Sequence, residues 1–287
     1  MSGIRKKQIL SQTPLPGLLC AFLLLAGCAN QEIVRVESAN QDTRVRVIVI
    51  HHTTADFGES LDILTEESKR PVSAHYLVPE PGDDSYAGDR LKTYQLVSEE
   101  GRAWHAGQSY WAGRRHLNDM SIGIELVNRA YCRESEQPAE PGTTPPRLCF
   151  YPDFDDSQLA LLVSLLEGIL SRHEEVKPTH IVGHSDIAPQ RKVDPGPRFP
   201  WERLYRLGYG AWYDDDTVFR YWEQFLQKMP DLKTLQAALM MYGYDIEPSG
   251  ENDEASRNVI RAYQMHFRPW GVDGEFDAER SEEHTSE

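Results

Sequence analysis

The sequence predicts a domain of the α/β or α+β class built on a single central sheet, followed by a small bundle of three helices. Strand and helix patterns alternate loosely over residues 42–210, which favours one sheet with helices packed against it. The composition changes after Gly210, and three helical patterns follow. The length of 287 residues fits one large domain or two ordinary ones.

Short apolar segments predict the strands. A β-branched run over 45–50 precedes His51 and His52, so we expect a buried strand that ends in two histidines on opposite faces. In the segment 121–127, three apolar residues alternate with Gly123 and Glu125, which therefore share the other face. Further strands are predicted over 73–78, 94–97 and 179–184, the last of which ends in a histidine.

Helical spacing predicts the remaining elements. We expect Ser60 to cap a helix over 61–69. A stronger amphipathic helix is predicted to begin at Asp155 or Asp156 and to end near Arg172. The three helices of the second region are predicted over 218–228, 232–242 and 255–267.

The formal net charge of −15 argues against a nucleic-acid partner, because nucleic-acid binders carry a basic footprint. Residues 1–27 carry three basic residues and no acid, and their apolar run over 18–26 is too short to span a bilayer. The segment ends Leu-Ala-Gly-Cys and resembles the lipobox of bacterial lipoproteins. This resemblance implies cleavage before Cys28 and lipidation of its thiol, with an ordinary signal peptide as the alternative. Ala29 then favours the Gram-negative outer membrane, with the protein facing the periplasm and residues 28–41 serving as a tether.

Cys132 and Cys149 remain after this assignment, and they flank a loop rich in proline and glutamate. Disulfides persist in an export compartment, so we expect these two cysteines to form one. Two free thiols are the alternative.

Two histidines and a carboxylate indicate a metal site. His51 and His184 both end predicted strands, and Asp194 follows His184 by ten positions. Two histidines, one carboxylate and a water form a common ligand set of catalytic zinc. The spacing is long-range and no HExxH motif is present in the sequence, so the residue types alone leave this site a hypothesis.

Several longer strings resemble the zinc-dependent N-acetylmuramoyl-L-alanine amidases, a family related in fold to peptidoglycan recognition proteins. These strings are VIVIHHT, SAHYLV, AWHAGQSYW, NDMSIGIELVN and VGHSDIAPQRKVDPGPRFPW, within residues 42–208. The resemblance implies an α/β fold with a mixed central sheet flanked by helices, and a zinc amidase domain over 42–210. It also implies that His51, His184 and Asp194 bind Zn²⁺.

The same resemblance implies catalytic roles for Glu125 and Lys192. Glu125 would take a proton from the attacking water and deliver it to the leaving amine. Lys192 would stabilise the oxyanion, although the adjacent Arg191 is an alternative for that role.

Five further residues are candidates for substrate contact, with packing as the alternative for each. His75 is expected near the cleft. An aromatic cluster downstream suits a cleft wall for sugar and peptide, and it consists of Trp104, His105, Tyr110 and Trp111.

The second region, residues 211–279, resembles the helical peptidoglycan-binding module; a helical cap without ligand affinity is the alternative. Its end departs from the family pattern. Residues 280–287 match the translation of a common sequencing-adapter end, so we expect them to be non-native and the module to be truncated.

These observations together predict an enzyme that hydrolyses the amide between N-acetylmuramic acid and L-Ala in peptidoglycan or muropeptides. A peptidoglycan-binding lipoprotein without catalysis is the first alternative. A zinc hydrolase that acts on another amide is the second.

Overall fold

The computed structural model describes residues 34–134 and 147–276. The chain divides into two units, and the described part of the first, residues 34–41, is exposed and carries no helix or strand. The second unit begins at Asp42 and holds all the elements below. No described helix is both long and apolar enough to cross a membrane. The predicted signal peptide, Cys28 and the segment 280–287 lie outside the described residues.

The central sheet is mixed, as predicted, and has five strands in the order β3-β2-β6-β1-β9. Strand β3 is antiparallel to β2, while the other neighbouring pairs are parallel. Strands β4 and β5 pair with each other, as do β7 and β8. The strands are β1 (Val47–His52), β2 (Tyr76–Val78), β3 (Tyr94–Gln95), β4 (Tyr110–Trp111), β5 (Arg114–Arg115), β6 (Ser121–Leu126), β7 (Tyr131–Glu134), β8 (Arg147–Phe150) and β9 (Ile181–Gly183).

The helices flank this sheet and then form the C-terminal region. They are α1 (Phe57–Thr65), α2 (Asp156–Arg172), α3 (His184–Ile187), α4 (Trp201–Arg206), α5 (Asp215–Gln227), α6 (Leu232–Tyr242) and α7 (Glu254–Phe267). Helix α2 confirms the predicted amphipathic helix, and the side chain of Asp155 caps it by accepting a hydrogen bond from the Ser157 backbone N–H.

Each face of the sheet packs against helices. On one face, Ile50 and Ile124 belong to the same apolar core as Leu162 and Leu166 of α2. On the other face, the core continues into the C-terminal helices; it includes Val47, Val49 and Val182 of the sheet with Leu239, Val259 and Met265 of α6 and α7. The C-terminal helices therefore complete the fold around the sheet, because they cover apolar strand residues that would otherwise face water.

Several predicted element boundaries are wrong by a few residues, and two of them have a clear local cause. Helix α1 begins earlier than expected, because Asp56 rather than Ser60 caps it by accepting a hydrogen bond from the Glu59 backbone N–H. His184 does not end a strand: β9 stops at Gly183, and His184 is the first residue of α3.

The three predicted C-terminal helices are present, but they do not contribute equally to the core. Helices α6 and α7 bury apolar side chains, whereas α5 has no buried residue. Cys132 and Cys149 form a disulfide between β7 and β8.

Candidate active site

Parallel pairing brings the predicted site residues to one edge of the sheet. In the register between β1 and β6, His51 lies beside Glu125. Strand β9 also runs parallel to β1 and leads directly into His184. The carboxyl ends of parallel strands meet at the same edge, which is where sites form in sheets of this kind. The fold therefore gathers residues that are far apart in the sequence.

His51, His184 and Asp194 form a compact buried cluster. The Nδ1 atoms of the two histidines are 2.9 Å apart, and each lies 3.0 Å from Oδ2 of Asp194. Their exposed fractions are 1%, 3% and 7% in the same order. Two ring nitrogens and one carboxylate oxygen lie close enough to one another to hold one metal ion. This donor set fits a zinc ion, which the two histidines would bind through Nδ1.

Burial sets the charges of this cluster. Burial and the neighbouring His184 together lower the pKa of His51 to about 4, although Asp194 opposes this shift. Burial opposes ionisation of Asp194, but the adjacent imidazoles of His184 and His51 hold the pKa of that carboxyl well below its usual range. At neutral pH His51 is neutral and Asp194 is ionised. These are the protonation states in which such groups bind a metal.

A series of hydrogen bonds that starts at Nε2 of His51 orients the ring of this residue. Its Nε2 lies 3.0 Å from Nδ1 of His105, and Nε2 of His105 lies 3.1 Å from Oγ of Ser121. The Ser121 hydroxyl donates to the Leu117 carbonyl at 2.6 Å. When Nδ1 of His51 binds a metal, its Nε2 carries the proton and donates to His105. Such outer partners fix the ring and the tautomer of a metal ligand.

The position of His105 is itself tightly constrained. Oδ1 of Asn118 accepts hydrogen bonds from the backbone N–H groups of His105 and Ala106 at 3.1 and 2.7 Å. The imidazole ring of His105 packs directly on Gly123, where an added Cβ would lie 2.4 Å from the ring Cγ. Glycine at position 123 therefore leaves room for the side chain that supports His51.

Glu125 lies beside the cluster with a free carboxylate oxygen. Its Oε1 is 4.0 Å from Nδ1 of His51, and its side chain is 14% exposed. Its Oε2 is buried without a hydrogen-bond partner among the described residues. Burial and the Asp194 carboxylate together raise the pKa of Glu125 to about 8, against the opposing charge of the Lys192 ammonium. A carboxyl group with this position and pKa is suited to proton transfer near neutral pH.

The cluster lines an open cleft of about 350 Å³. The lining includes the apolar side chains of Ile63, Leu64 and Val72 and the indole of Trp104. It also includes two basic side chains, those of Arg191 and Lys192. The cleft thus offers both apolar and cationic groups next to the candidate metal site.

Arg191 and Lys192 differ in their contacts. The Arg191 guanidinium donates to the Gln108 carbonyl at 2.7 Å through Nη2 and at 3.1 Å through Nε, and it also contacts the Ala106 carbonyl. It therefore holds the loop next to His105. Lys192 lines the cleft and acts electrostatically on Glu125 and His51, which makes it the better candidate for contacting a developing oxyanion.

Of the five predicted substrate contacts, Trp104 and His105 line the cleft, and Trp104 is 47% exposed. His75 does not: it is fully buried, and its Nδ1 accepts a hydrogen bond from the Gly123 backbone N–H. This prediction is corrected to packing, the alternative given for it, because the buried ring bonds to the Gly123 and Gly101 backbone and does not line the cleft.

Tyr110 and Trp111 also lie outside the cleft lining. Trp111 is buried and packs edge-to-face against Tyr242 and Tyr244, the latter at 5.0 Å between ring centroids. Tyr110 lies under the Arg115 guanidinium at 5.0 Å. The sequence pattern indicated the aromatic cluster. It did not indicate that Trp111 packs against aromatic residues of the C-terminal region.

The fold and the site together define the class of this protein. Residues 41–197 match the N-acetylmuramoyl-L-alanine amidase family, and residues 228–280 match the peptidoglycan binding domain family. The chain belongs to the N-acetylmuramoyl-L-alanine amidase family, and its activity is that of such an amidase.

Its relatives support this assignment over most of the chain. The N-acetylmuramoyl-L-alanine amidase AmiD of Escherichia coli (strain K12) is 42% identical over 273 residues, which cover 91% of this chain and 92% of AmiD. A crystal structure of AmpDh3 from Pseudomonas aeruginosa matches with a TM-score of 0.74 at 42% identity, covering 86% of this chain and 94% of that one. The complex of E. coli AmiD with anhydro-N-acetylmuramic acid-L-Ala-D-gamma-Glu-L-Lys matches with a TM-score of 0.69 at 40% identity, covering 85% and 88%.

Proposed function

We propose that this protein is a zinc-dependent amidase that hydrolyses the bond between the lactyl group of N-acetylmuramic acid and L-Ala of the stem peptide. The observation that carries this proposal is the convergence of His51 Nδ1, His184 Nδ1 and Asp194 Oδ2 beside the unpaired Oε2 of Glu125. Two histidine nitrogens and one carboxylate would leave a bound zinc with net positive charge and an open position.

The protein residues divide the chemistry between them. A zinc ion held by the three ligands would polarise the scissile carbonyl and lower the pKa of a bound water to about 7. Glu125 accepts a proton from the attacking water and then delivers it to the departing amine of L-Ala. Lys192 stabilises the negative charge that develops on the carbonyl oxygen. The chain His51–His105–Ser121 holds the first ligand in its binding tautomer.

Muropeptides are the substrate class that the cleft and the relatives support. The cleft lining includes apolar side chains and an exposed tryptophan that suit a sugar face, and two basic side chains that suit the carboxylates of a stem peptide. The structures of AmiD and AmpDh3 include complexes with anhydromuramyl peptides. Intact and anhydro forms are both compatible with an open cleft.

The decisive experiment is incubation of the soluble protein with purified muropeptides, followed by mass spectrometry of the products. Release of free stem peptides that begin with L-Ala supports the proposal, whereas cleavage confined to peptide bonds within the stem contradicts it. Removal of metal with a chelator should abolish turnover, and added Zn²⁺ should restore it. Binding without any cleavage would favour the non-catalytic alternative.

We further propose that the protein is an outer-membrane lipoprotein that faces the periplasm. The Leu-Ala-Gly-Cys sequence ending at Cys28, followed by Ala29, supports this location. Acyl chains on Cys28 would anchor the protein, since each buried methylene contributes about 0.8 kcal/mol. Replacing Cys28 by Ala should move the protein from the outer-membrane fraction to the soluble periplasmic fraction, with the muropeptide activity retained.

A further inference from the structure

A second buried carboxylate lies next to the metal cluster and is not part of it. Asp186 is 1% exposed and stands in α3, two positions after His184. Its Oδ2 accepts hydrogen bonds from the Gly183 backbone N–H at 2.8 Å and from Nδ1 of His266 at 2.9 Å. Its Oδ1 accepts a hydrogen bond from the Tyr244 hydroxyl at 2.6 Å. Two of the three donors thus come from the C-terminal region.

The contact between Asp186 and Gly183 shapes the turn that carries a metal ligand. It closes the first turn of α3, whose first residue is His184. In the same turn, the Ser185 backbone N–H donates to the backbone carbonyl of Asp194 at 2.8 Å. The backbone between Gly183 and Asp186 therefore links two of the three candidate ligands. A change in the position of Asp186 would be transmitted to both.

The two C-terminal donors are themselves held firmly. Tyr244 is fully buried and packs edge-to-face on Trp111. His266 is 3% exposed, and its ring stacks on Trp201 at 3.9 Å between centroids. Two aromatic residues of the amidase region, Trp111 and Trp201, thus fix the positions of both donors. A buried carboxylate that loses one of these hydrogen-bond donors has too few partners. Because an unpaired buried polar group costs free energy, we expect the carboxylate to move towards another donor.

We propose that Tyr244 and His266 are positioning residues for the metal site, which hold the His184 turn through Asp186. The C-terminal region is then a structural part of the catalytic centre, in addition to any role in binding the cell wall. This inference rests on the proposed zinc site. It assigns to α7 and the segment after α6 a function that the peptidoglycan binding family does not imply.

The test is Tyr244→Phe in the full chain, which removes one hydroxyl and keeps the ring. The matched control is Tyr263→Phe, since that ring packs near Tyr244 but does not bond to Asp186. Zinc affinity is measured by competition with a chromogenic chelator, and ligand geometry by the visible absorption of the Co²⁺ form. We expect zinc binding by Tyr244→Phe to weaken about tenfold, as for other outer partners of metal ligands, with an altered Co²⁺ spectrum. Tyr263→Phe should match the wild type.

A second pair of variants keeps the test decisive if Tyr244→Phe folds poorly. His266→Asn retains a side-chain N–H near the position of Nδ1, while His266→Leu does not. We expect His266→Asn to keep most of the zinc affinity and His266→Leu to lose it. Both variants lose the stacking of the His266 ring on Trp201.

The outcomes separate the two proposals. A wild-type protein that binds no zinc refutes the proposed function. A wild type that binds zinc, together with Tyr244→Phe and His266→Leu proteins that melt earlier but bind zinc equally well, overturns the positioning role.

Discussion

His51 and Glu125 occupy the same register position on neighbouring parallel strands, β1 and β6. Both side chains project to the same face at the carboxyl edge, with Nδ1 of His51 4.0 Å from Oε1 of Glu125. The pairing of the two strands thus places a candidate metal ligand next to a candidate proton-transfer group. A shift of one residue in this pairing would turn one of the two side chains to the opposite face.

The first prediction concerns Glu125. Glu125→Gln should keep zinc affinity, because Glu125 is not one of the three ligands, but kcat on muropeptides should fall by roughly 10²–10⁴-fold. Turnover by mass spectrometry and metal content by atomic emission check the two parts. Glu100→Gln, which changes an exposed carboxylate, is the control and should keep full activity. Wild-type turnover in Glu125→Gln would remove this residue from the mechanism.

The second prediction separates the adjacent basic residues. Lys192→Ala should lower kcat by roughly 10²–10³-fold with a small change in KM, since it removes a group that stabilises charge in the transition state. Arg191→Ala should instead lower thermal stability, since its guanidinium holds the Ala106–Gln108 loop. Steady-state kinetics and melting curves of both variants check this assignment. The reverse pattern would transfer the oxyanion role to Arg191.

A third prediction addresses the close approach at Gly123. Gly123→Ala places a methyl group against His105, so the ring must move and its hydrogen bond to His51 must lengthen. We expect a loss of about 1–3 kcal/mol in the free energy of unfolding, as is usual for overpacking, and a 10–100-fold loss of zinc affinity. Gly168→Ala is the matched control, because its methyl would meet only the flexible Arg172 side chain. It lies within α2 and should raise stability by up to about 1 kcal/mol.

A fourth prediction concerns pH and Glu99, far from the cleft. Burial opposes ionisation of Glu99, but hydrogen bonds from Arg172, Tyr76 and His173 hold its pKa at about 2, below the usual 4.5. A carboxyl with a lowered folded-state pKa adds stability above the unfolded-state pKa, and that stability is lost as the pH falls towards the folded-state value. Glu99→Gln should therefore lower the melting temperature at pH 7, and this deficit should shrink between pH 4.5 and 2.

The control for Glu99 is Glu202→Gln, which breaks an exposed ion pair with Arg206. Exposed pairs contribute about 0–1 kcal/mol, so this variant should melt close to the wild type at every pH. Equal melting profiles for the two variants would contradict the buried role of Glu99.

The sequence predicted best the elements whose pattern is long and regular. The alternation around Glu125 and the helical spacing from Asp156 to Arg172 are both present in the structure, because burial against a single core dictates both patterns. The boundaries at Ser60 and His184 were wrong. In each case a nearby side chain closes the first helical turn, Asp56 in α1 and Asp186 in α3, and such local bonds compete with the pattern of apolar residues.

The contacts that sequence reasoning missed join residues that lie far apart in the chain. Trp111 packs on Tyr242 and Tyr244, and Asp186 bonds to Tyr244 and His266, across separations that no periodicity reveals. The sequence pattern holds a partial signal for Ser121, because this residue shares a strand face with Gly123 and Glu125. The strand alternation could have placed it beside the site, although not in contact with His105.

The metal cluster joins His51 to His184 across 133 positions of the chain. A zinc ion bound by both histidines would close a very large loop of the chain. Because only the folded state brings these histidines together, zinc binding and folding would stabilise each other. In the proposed zinc form, metal binding therefore adds to the stability of the folded state. The melting temperature of this form is expected to rise with the free zinc concentration.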